Sequence, residues 1–145
     1  MMKCMKGQKQ RPQEIISTRI KRTNILVVDD EPDIALTFKL ALEYDGGFDV
    51  DTFYQPHLAL TSFEPGVYDI ILLDINMPIL NGFQFCTELR KIDDKVKICF
   101  VTAYADVGSS NLGVEISQSV NAECFIQKPI GSHELVRRTK AKLSN

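Results

Sequence analysis

The sequence lacks several features that would place it in a specialised class of protein. No stretch approaches the roughly 18 uninterrupted apolar residues that a membrane-spanning helix needs. The basic N-terminus has no apolar segment of the kind that signal peptides carry, so we expect a cytoplasmic protein without membrane association. No internal repeat or low-complexity tract is present. What remains is a chain of 145 residues, 44% apolar and 25% charged, which predicts one domain with one core.

The four cysteines show no C-x-x-C spacing, so the sequence predicts neither a zinc site nor a disulfide framework. Cys86 falls in a predicted helix, and Cys99 and Cys124 fall in predicted strands. We interpret these three as small core residues. Cys4 lies in the N-terminal tail.

Charge is divided unevenly along the chain. Residues 1–22 hold seven Lys/Arg and one Glu, and residues 23–145 hold ten Lys/Arg and eighteen Asp/Glu. We predict a loosely ordered basic extension over 1–22 and an acidic domain over 23–145. The extension could contact nucleic acid, an anionic membrane or the domain's own acidic face. Because it has no aromatic residues to stack on bases, we favour a minor role and expect no direct nucleic-acid binding by this chain.

Four short apolar runs each end in a residue that can bind phosphate or a divalent cation. The runs cover residues 24–28, 70–73, 97–101 and 124–127, and the residues that follow them are Asp29 with Asp30, Asp74, Thr102 and Lys128. Such runs predict strands buried on both faces of a parallel sheet. Ligands bind outside the carboxyl ends of such strands, so we expect these side chains to converge.

Stretches of helical period separate the strands, and Val50 to Phe53 adds a fifth strand. Five strands and five helices in strict alternation predict a doubly wound α/β fold with a parallel sheet. The fourth helical segment, 106–121, is rich in Gly, Ser and Asn, so we expect it to be marginal. The remaining helices are predicted from Pro32 to near Gly46, from Pro56 to Phe63, from Phe83 to Ile92, and from Ser132, as N-cap, to Leu143.

Three carboxylates at one edge of the sheet would repel one another unless a cation compensated them. A site of a few carboxylates and waters is what Mg²⁺ prefers, with Mn²⁺ as a substitute. We therefore predict a metal held directly by Asp30 and Asp74, and by Asp29 through water.

A divalent cation beside Lys128 suits a phosphoryl group, and Thr102 can donate its hydroxyl to another phosphoryl oxygen. A free phosphoryl substrate would need a base to activate water, but His57 and His133 both lie in helices away from the cluster. The remaining candidate is a carboxylate nucleophile, and Asp74, central in the site, is our choice.

The residues at the site stand in four short motifs, whose order and spacing resemble the receiver domain of two-component response regulators over residues 23–145. The resemblance implies a flavodoxin-like, chemotaxis-regulator-like (βα)5 fold with strand order 2-1-3-4-5. The motifs are Val28-Asp29-Asp30-Glu31-Pro32, Leu73-Asp74-Ile75-Asn76-Met77-Pro78 with Asn81-Gly82, Val101-Thr102-Ala103, and Lys128-Pro129.

The resemblance further implies that Asp74 accepts a phosphoryl group from the phosphohistidine of a sensor kinase or phosphotransfer protein, with slow self-dephosphorylation. Mg²⁺ would be bound by Asp30, Asp74 and the backbone carbonyl of Asn76. Lys128, across a cis bond to Pro129, and the backbone N–H of Ala103 would bind the phosphoryl group.

Two further pairs of residues gain roles from the resemblance. Thr102 and Phe125 match a switch pair, in which a hydroxyl moves toward the phosphoryl group and an aromatic ring turns inward behind it. Asn76 and Tyr104 occupy positions that influence how fast the aspartyl-phosphate is hydrolysed. From its place in a predicted strand, Phe125 is a core aromatic residue, and this role is compatible with the role in the switch pair.

The chain departs from the family pattern between Thr102 and Lys128, where it has a few extra residues within 106–121. This segment contributes to the output and dimerisation face of relatives, and we expect a monomer or weak dimer with an unidentified downstream effector. Leu36 and Leu40 lie off the apolar stripe of the first helix. Either the N-terminal extension covers them or a kinase docks there, and we favour docking.

Two other classes of protein share parts of this pattern. A metal-dependent phosphatase with an Asp nucleophile usually has a second Asp where Asn76 stands. A receiver-like interaction module that is not phosphorylated would have lost an acidic residue or the Lys, and none is lost. We therefore expect a regulatory switch with no small-molecule cofactor, and not an enzyme in the ordinary sense.

Overall fold

A computed structural model describes residues 22–103 and 124–144. Within these ranges the chain alternates five strands with four helices. The strands are β1 (Asn24–Val28), β2 (Asp49–Phe53), β3 (Ile70–Leu73), β4 (Lys97–Thr102) and β5 (Cys124–Gln127). The helices are α1 (Pro32–Tyr44), α2 (Pro56–Ser62), α3 (Gly82–Arg90) and α4 (Ser132–Leu143). The predicted helix over 106–121 and residues 1–21 of the predicted extension lie outside the described residues.

All strand pairs are parallel, and the sheet has the order β2-β1-β3-β4-β5. The predicted doubly wound α/β sheet and its 2-1-3-4-5 order are confirmed. Val28, the last residue of β1, lies in register with Phe53 on one side and Leu73 on the other. The carboxyl ends of these three central strands are therefore level, and the residues that follow them start from the same height.

The sheet is covered on both faces, which explains why the strands β1, β3 and β4 are almost uninterrupted apolar runs. Alternate residues of each strand point to opposite faces: Ile25 and Val27 pack with α1 and α4, and Leu26 and Val28 pack with α2 and α3. Among the described residues the two apolar clusters lie on opposite faces of the sheet, and the sheet carries the loops at its edge.

Local sequence accounts for most helix ends. Pro32 stands at the start of α1, where a missing N–H costs no hydrogen bond. A reciprocal pair of hydrogen bonds between Asn81 and Gln84 caps α3. The predicted cap of α4 by Ser132 is wrong, because Gly131 has the extended backbone of an N-cap and Ser132 already lies in the first turn. Among the described helices, none is long and apolar enough to cross a bilayer.

The cysteines differ in part from the expectation of free core residues. Cys86 is a free, buried thiol in α3. Cys99, however, is disulfide-bonded, which the sequence analysis did not predict. In the register between β4 and β5, Cys99 lies opposite Cys124, a proximity that spacing along the chain does not reveal.

Candidate functional site

Hydrogen bonds just beyond the strand ends hold the functional residues at one edge of the sheet. The backbone N–H of Asp29 donates to the carbonyl of Phe53 (3.1 Å), and that of Asp74 donates to the carbonyl of Val28 (3.0 Å). At the other side, the N–H of Lys128 donates to the carbonyl of Thr102 (2.8 Å). The sheet thus positions the backbone of each of these residues before any side-chain contact is made.

The structure brings the three predicted metal-binding carboxylates together. Asp29, Asp30 and Asp74 each offer an oxygen atom, and these three atoms lie within 4.8 Å of one another. Asp29 is 2% exposed and Asp74 6% exposed, whereas Asp30 is half-buried. The cluster is therefore an acidic pocket in which Asp29 and Asp74 are nearly buried and Asp30 is more accessible.

Lys128 lies among these carboxylates, although it is far from them in the chain. Its Nζ donates to Asp29 Oδ2 at 2.7 Å and lies 3.7 Å from Asp74 Oδ2 and 4.0 Å from Glu31 Oε1. The peptide bond between Lys128 and Pro129 is cis, as the resemblance implied. One ammonium thus faces the three clustered carboxylates, which leaves the cluster with a net charge of −2.

Burial and the neighbouring negative charges both act on the carboxyl group of Asp74. The pKa of Asp74 is raised from 3.8 to about 6: burial is the largest cause, the charges of Asp29 and Asp30 add to it, and Lys128 and the N–H of Asn76 oppose it. Additional positive charge would stabilise the ionised form of a buried carboxyl group beside two other carboxylates. The donor set, made of oxygen atoms alone, fits a hard divalent cation such as Mg²⁺.

The carboxylates differ in how many protein partners they have. Asp29 Oδ1 accepts from the N–H of Glu31 at 3.0 Å while its Oδ2 accepts from Lys128. Asp74 Oδ1 accepts a longer bond of 3.4 Å from the N–H of Asn76. Asp29 thus acts as a support that holds Lys128, and Asp74 keeps more capacity for other ligands.

The predicted switch residues lie on β4 and β5. Thr102 is buried at the end of β4, and Ala103, which follows it, is exposed. The partly buried ring of Phe125 stacks on Phe100 with centroids 5.1 Å apart, so Phe125 is a core aromatic in this structure. Tyr104, the predicted modulator of hydrolysis, lies outside the described residues.

The loop between β3 and α3 contains two features that the sequence analysis treated only as turn signals. A Cβ on Gly82 would lie 2.5 Å from the carbonyl oxygen of Asp74, so α3 begins against the backbone of Asp74. Ile79 has a φ of 71°, a left-handed conformation that costs a residue other than glycine roughly 1–2 kcal/mol. The Asn-Gly pair was a usable signal for the loop, but nothing in the sequence indicated the conformation of Ile79.

Leu36 and Leu40 lie on the outer face of α1, away from the buried stripe. They are 48% and 40% exposed, so the described part of the structure leaves both accessible. The buried residues of the helix are Ala35, Phe38, Ala41 and Leu42.

The fold and the site together define a class of protein: a flavodoxin-like parallel α/β domain with an acidic pocket at the carboxyl edge of its sheet. The sequence model of the response regulator receiver domain matches residues 25–140. The chain belongs to this family, whose members are receiver domains of two-component systems.

Known proteins agree with this assignment. The chain is 35% identical over 128 residues to the transcriptional regulatory protein PrrA of Mycobacterium tuberculosis, covering 88% of the chain and 53% of PrrA. A CheY-like receiver domain from Methanospirillum hungatei superposes with a TM-score of 0.76 at 27% identity, covering 86% of this chain and 95% of that one. The HemR receiver domain of Leptospira biflexa superposes with a TM-score of 0.75 at 26% identity, covering 86% of this chain and 96% of that one. The chain spans about half the length of the curated relatives it matches, whose names describe them as transcriptional regulatory proteins or response regulators.

Proposed function

We propose that this domain is a phosphorylation-dependent switch in which Asp74 accepts a phosphoryl group from a phosphohistidine on a sensor histidine kinase or a phosphotransfer protein. The observation that carries the proposal is the position of Asp74, 6% exposed, in a pocket with two more carboxylates and the ammonium of Lys128. An oxygen of Asp74 forms the new P–O bond while the P–N bond breaks. The electron pair of that bond remains on the imidazole nitrogen, which is protonated after transfer.

Mg²⁺ is the proposed cofactor, with Mn²⁺ as a substitute. Asp30, Asp74 and the backbone carbonyl of Asn76 would hold it directly, and Asp29 would act through water. When bound, the cation would offset negative charge on the phosphoryl oxygens during transfer. The bonds that Asp29 already accepts from Lys128 and Glu31 support its indirect role.

The other residues of the pocket would bind the phosphoryl group and report its presence. Lys128, 3.7 Å from Asp74 Oδ2, can pair with a phosphoryl oxygen, and Thr102 and the N–H of Ala103 can donate to others. Phe125 would turn inward when the Thr102 hydroxyl moves toward the phosphoryl group. This movement would pass the signal to a downstream effector.

The aspartyl-phosphate would hydrolyse slowly, because no histidine is available as a base among the residues described around Asp74. Asn76, two residues after the acceptor, and Tyr104 are the proposed modulators of this rate. The expectations of a cytoplasmic location and of a monomer or weak dimer stay predictions. The names of relatives such as PrrA include transcriptional regulation, but that role is proposed for this chain only through a downstream effector.

The test of acceptor function is incubation with acetyl phosphate and Mg²⁺ followed by intact-mass analysis. We expect the wild type to gain the mass of one phosphoryl group and Asp74→Asn to gain none. Omission of Mg²⁺, with a chelator present, should abolish the gain. A wild type that stays unmodified under these conditions would overturn the proposal.

Leu36 and Leu40 form the proposed docking surface for the kinase on α1. Replacing both with Glu should slow transfer from a phosphorylated kinase while modification by acetyl phosphate is unchanged. Leu58, 45% exposed on α2, provides the matched control as Leu58→Glu. Equal transfer to the double variant and to the control would contradict docking at this surface.

A further inference from the structure

Three exposed apolar residues form a stripe along the outer face of α1, called the α1 stripe below. Leu36, Leu40 and Tyr44 follow one another at intervals of four residues and are 48%, 40% and 81% exposed. Residues four apart in a helix share a face, so the stripe runs along the helix for about 12 Å at about 1.5 Å per residue. Nothing within residues 22–103 and 124–144 covers it.

The chain enters the domain beside one end of the α1 stripe. The N–H of Asp49 donates to the carbonyl of Thr23 at 3.0 Å, and Arg22 Nη1 donates to Asp49 Oδ1 at 3.5 Å. Asp49 begins β2, just after the turn that follows the end of α1 at Tyr44. The N-terminal extension therefore joins the domain at the end of α1 that carries Tyr44, and the rest of the stripe leads away from that point.

Charge favours contact between the extension and this helix. Residues 1–22 hold seven Lys/Arg and one Glu, whereas residues 23–145 hold ten Lys/Arg and eighteen Asp/Glu. The last turn of α1 has no basic residue to offset the negative end of the helix dipole, and the exposed Asp45 follows it. Arg19 and Lys21, which precede the point of entry, can supply this positive charge.

We propose that residues 15–20 of the same chain pack on the α1 stripe. They include the three isoleucines of the extension, Ile15, Ile16 and Ile20. In an extended chain Ile16 and Ile20 would lie about 13 Å apart, at about 3.3 Å per residue, which matches the length of the stripe. Packing them against leucine and tyrosine side chains removes apolar surface of both partners from water.

The covered stripe is closed to the protein that carries the phosphohistidine, so the segment competes with that phosphodonor. This competition rests on the proposed acceptor function of Asp74 and on the proposed docking surface of Leu36 and Leu40. Because the segment belongs to the same chain, its effective concentration at the stripe is high. Loss of the segment's isoleucines should therefore speed transfer from a protein, whereas loss of Leu36 and Leu40 should slow it.

The test uses a tryptophan reporter in the full chain, which contains no tryptophan of its own. Tyr44→Trp places one indole ring at the end of the stripe, and its emission moves to shorter wavelength when the ring is shielded from water. A release variant adds Ile16→Asn and Ile20→Asn to the reporter protein. The matched control adds Ser17→Asn and Thr18→Asn instead, so it changes the same segment and keeps the isoleucines.

We expect the reporter protein and the control to emit at shorter wavelength than the release variant, with spectra that do not change on dilution. The protein phosphodonors are the sensor histidine kinases of the source organism, each autophosphorylated with radiolabelled ATP. The kinase that transfers fastest should modify the release variant about threefold faster or more, which is the factor expected when the segment covers about two-thirds of the molecules. Modification by acetyl phosphate should be equal in all three proteins.

Identical emission of the reporter protein and the release variant would overturn the packing of residues 15–20 on α1. Emission that moves to longer wavelength on dilution would assign the stripe to a second copy of the chain instead. Equal kinase transfer to the two proteins, or transfer from no kinase to a chain that acetyl phosphate modifies, would overturn the competition. A chain that acetyl phosphate does not modify would overturn the acceptor function, while the emission spectra would still decide the packing.

Discussion

Replacement of Asp74 by asparagine should stabilise the metal-free protein at neutral pH. Burial and the charge of Asp29 raise the pKa of Asp74 from 3.8 to about 6, so ionisation of this carboxyl is unfavourable in the folded state. At about 1.36 kcal/mol per pKa unit, the rise from 3.8 to about 6 lowers the free energy of unfolding of the ionised protein by about 3 kcal/mol. Asparagine has the same shape without the charge, and its side-chain oxygen can still accept from the N–H of Asn76.

The stability gained by Asp74→Asn should increase as the pH rises. Between about pH 3.8 and 6 the unfolded chain has lost the proton of Asp74 and the folded protein retains it, so the stability of the wild type falls as the pH rises. Above about pH 6 both states are ionised and the full penalty is present. The advantage of Asp74→Asn should therefore be largest above pH 6 and smallest near pH 3.8.

Urea unfolding followed by far-UV circular dichroism, with a chelator present, measures the free energy of unfolding at each pH. Asp94→Asn, at an exposed carboxylate, is the control and should change stability by less than about 0.5 kcal/mol. Addition of Mg²⁺ should stabilise the wild type more than Asp74→Asn, so the difference between their free energies of unfolding should become smaller. Equal stability of Asp74→Asn and wild type above pH 6, or a difference that does not vary with pH, would refute this account of the pocket.

Three further substitutions test other parts of the structure. Gly82→Ala places a Cβ 2.5 Å from a backbone oxygen and should lower the free energy of unfolding in urea by about 1–3 kcal/mol. The control Gly131→Ala, whose Cβ would have nothing within 4 Å, should lower it by less than about 1 kcal/mol. Equal losses in the two variants would contradict the close approach at Gly82. Lys128→Gln removes the partner of the buried Asp29 and should lower the free energy of unfolding by about 3–5 kcal/mol without metal. Unchanged stability of this variant would contradict the importance of the ion pair. Asp93→Asn should cost about 1 kcal/mol at neutral pH. Burial raises the pKa of Asp93, but hydrogen bonds from three backbone N–H groups lower it overall, so the cost of Asp93→Asn should disappear as the pH falls below 3.8. A cost that does not vary with pH would contradict the stabilisation of the ionised carboxylate by these N–H groups.

The elements of the fold were predictable because their signals are local. The run Ile70 to Leu73 is apolar at every position, as a strand buried on both faces must be, and the structure has β3 over the same residues. The Pro32 start of α1 and the Asn81-Gly82 turn signal are likewise properties of neighbouring residues. Because α/β topology with right-handed crossovers allows few arrangements, these local signals also placed Asp29, Asp74 and Lys128 at one edge.

What the sequence left undetermined depends on contacts between segments that are distant in the chain. Asp29 and Lys128 are 99 residues apart, and the 2.7 Å bond between them exists because β1 and β5 are set in one sheet. The burial that raises the pKa of Asp74 is likewise a property of the packed pocket, and so is the close approach of Gly82 to the backbone of Asp74.

Backbone conformation at single positions also came only from the tertiary structure. Nothing about isoleucine as a residue type predicts a φ of 71° at Ile79, which lies between Met77 and Leu80, two residues packed against the core. The same limit explains the misplaced cap at Ser132 and the unexpected disulfide at Cys99. Residue type and spacing were thus sufficient for the fold, the family and the grouping of the carboxylates with Lys128. Three-dimensional packing decided the distances, the burial and the exposed Ile79, because these arise only when distant segments share one compact structure.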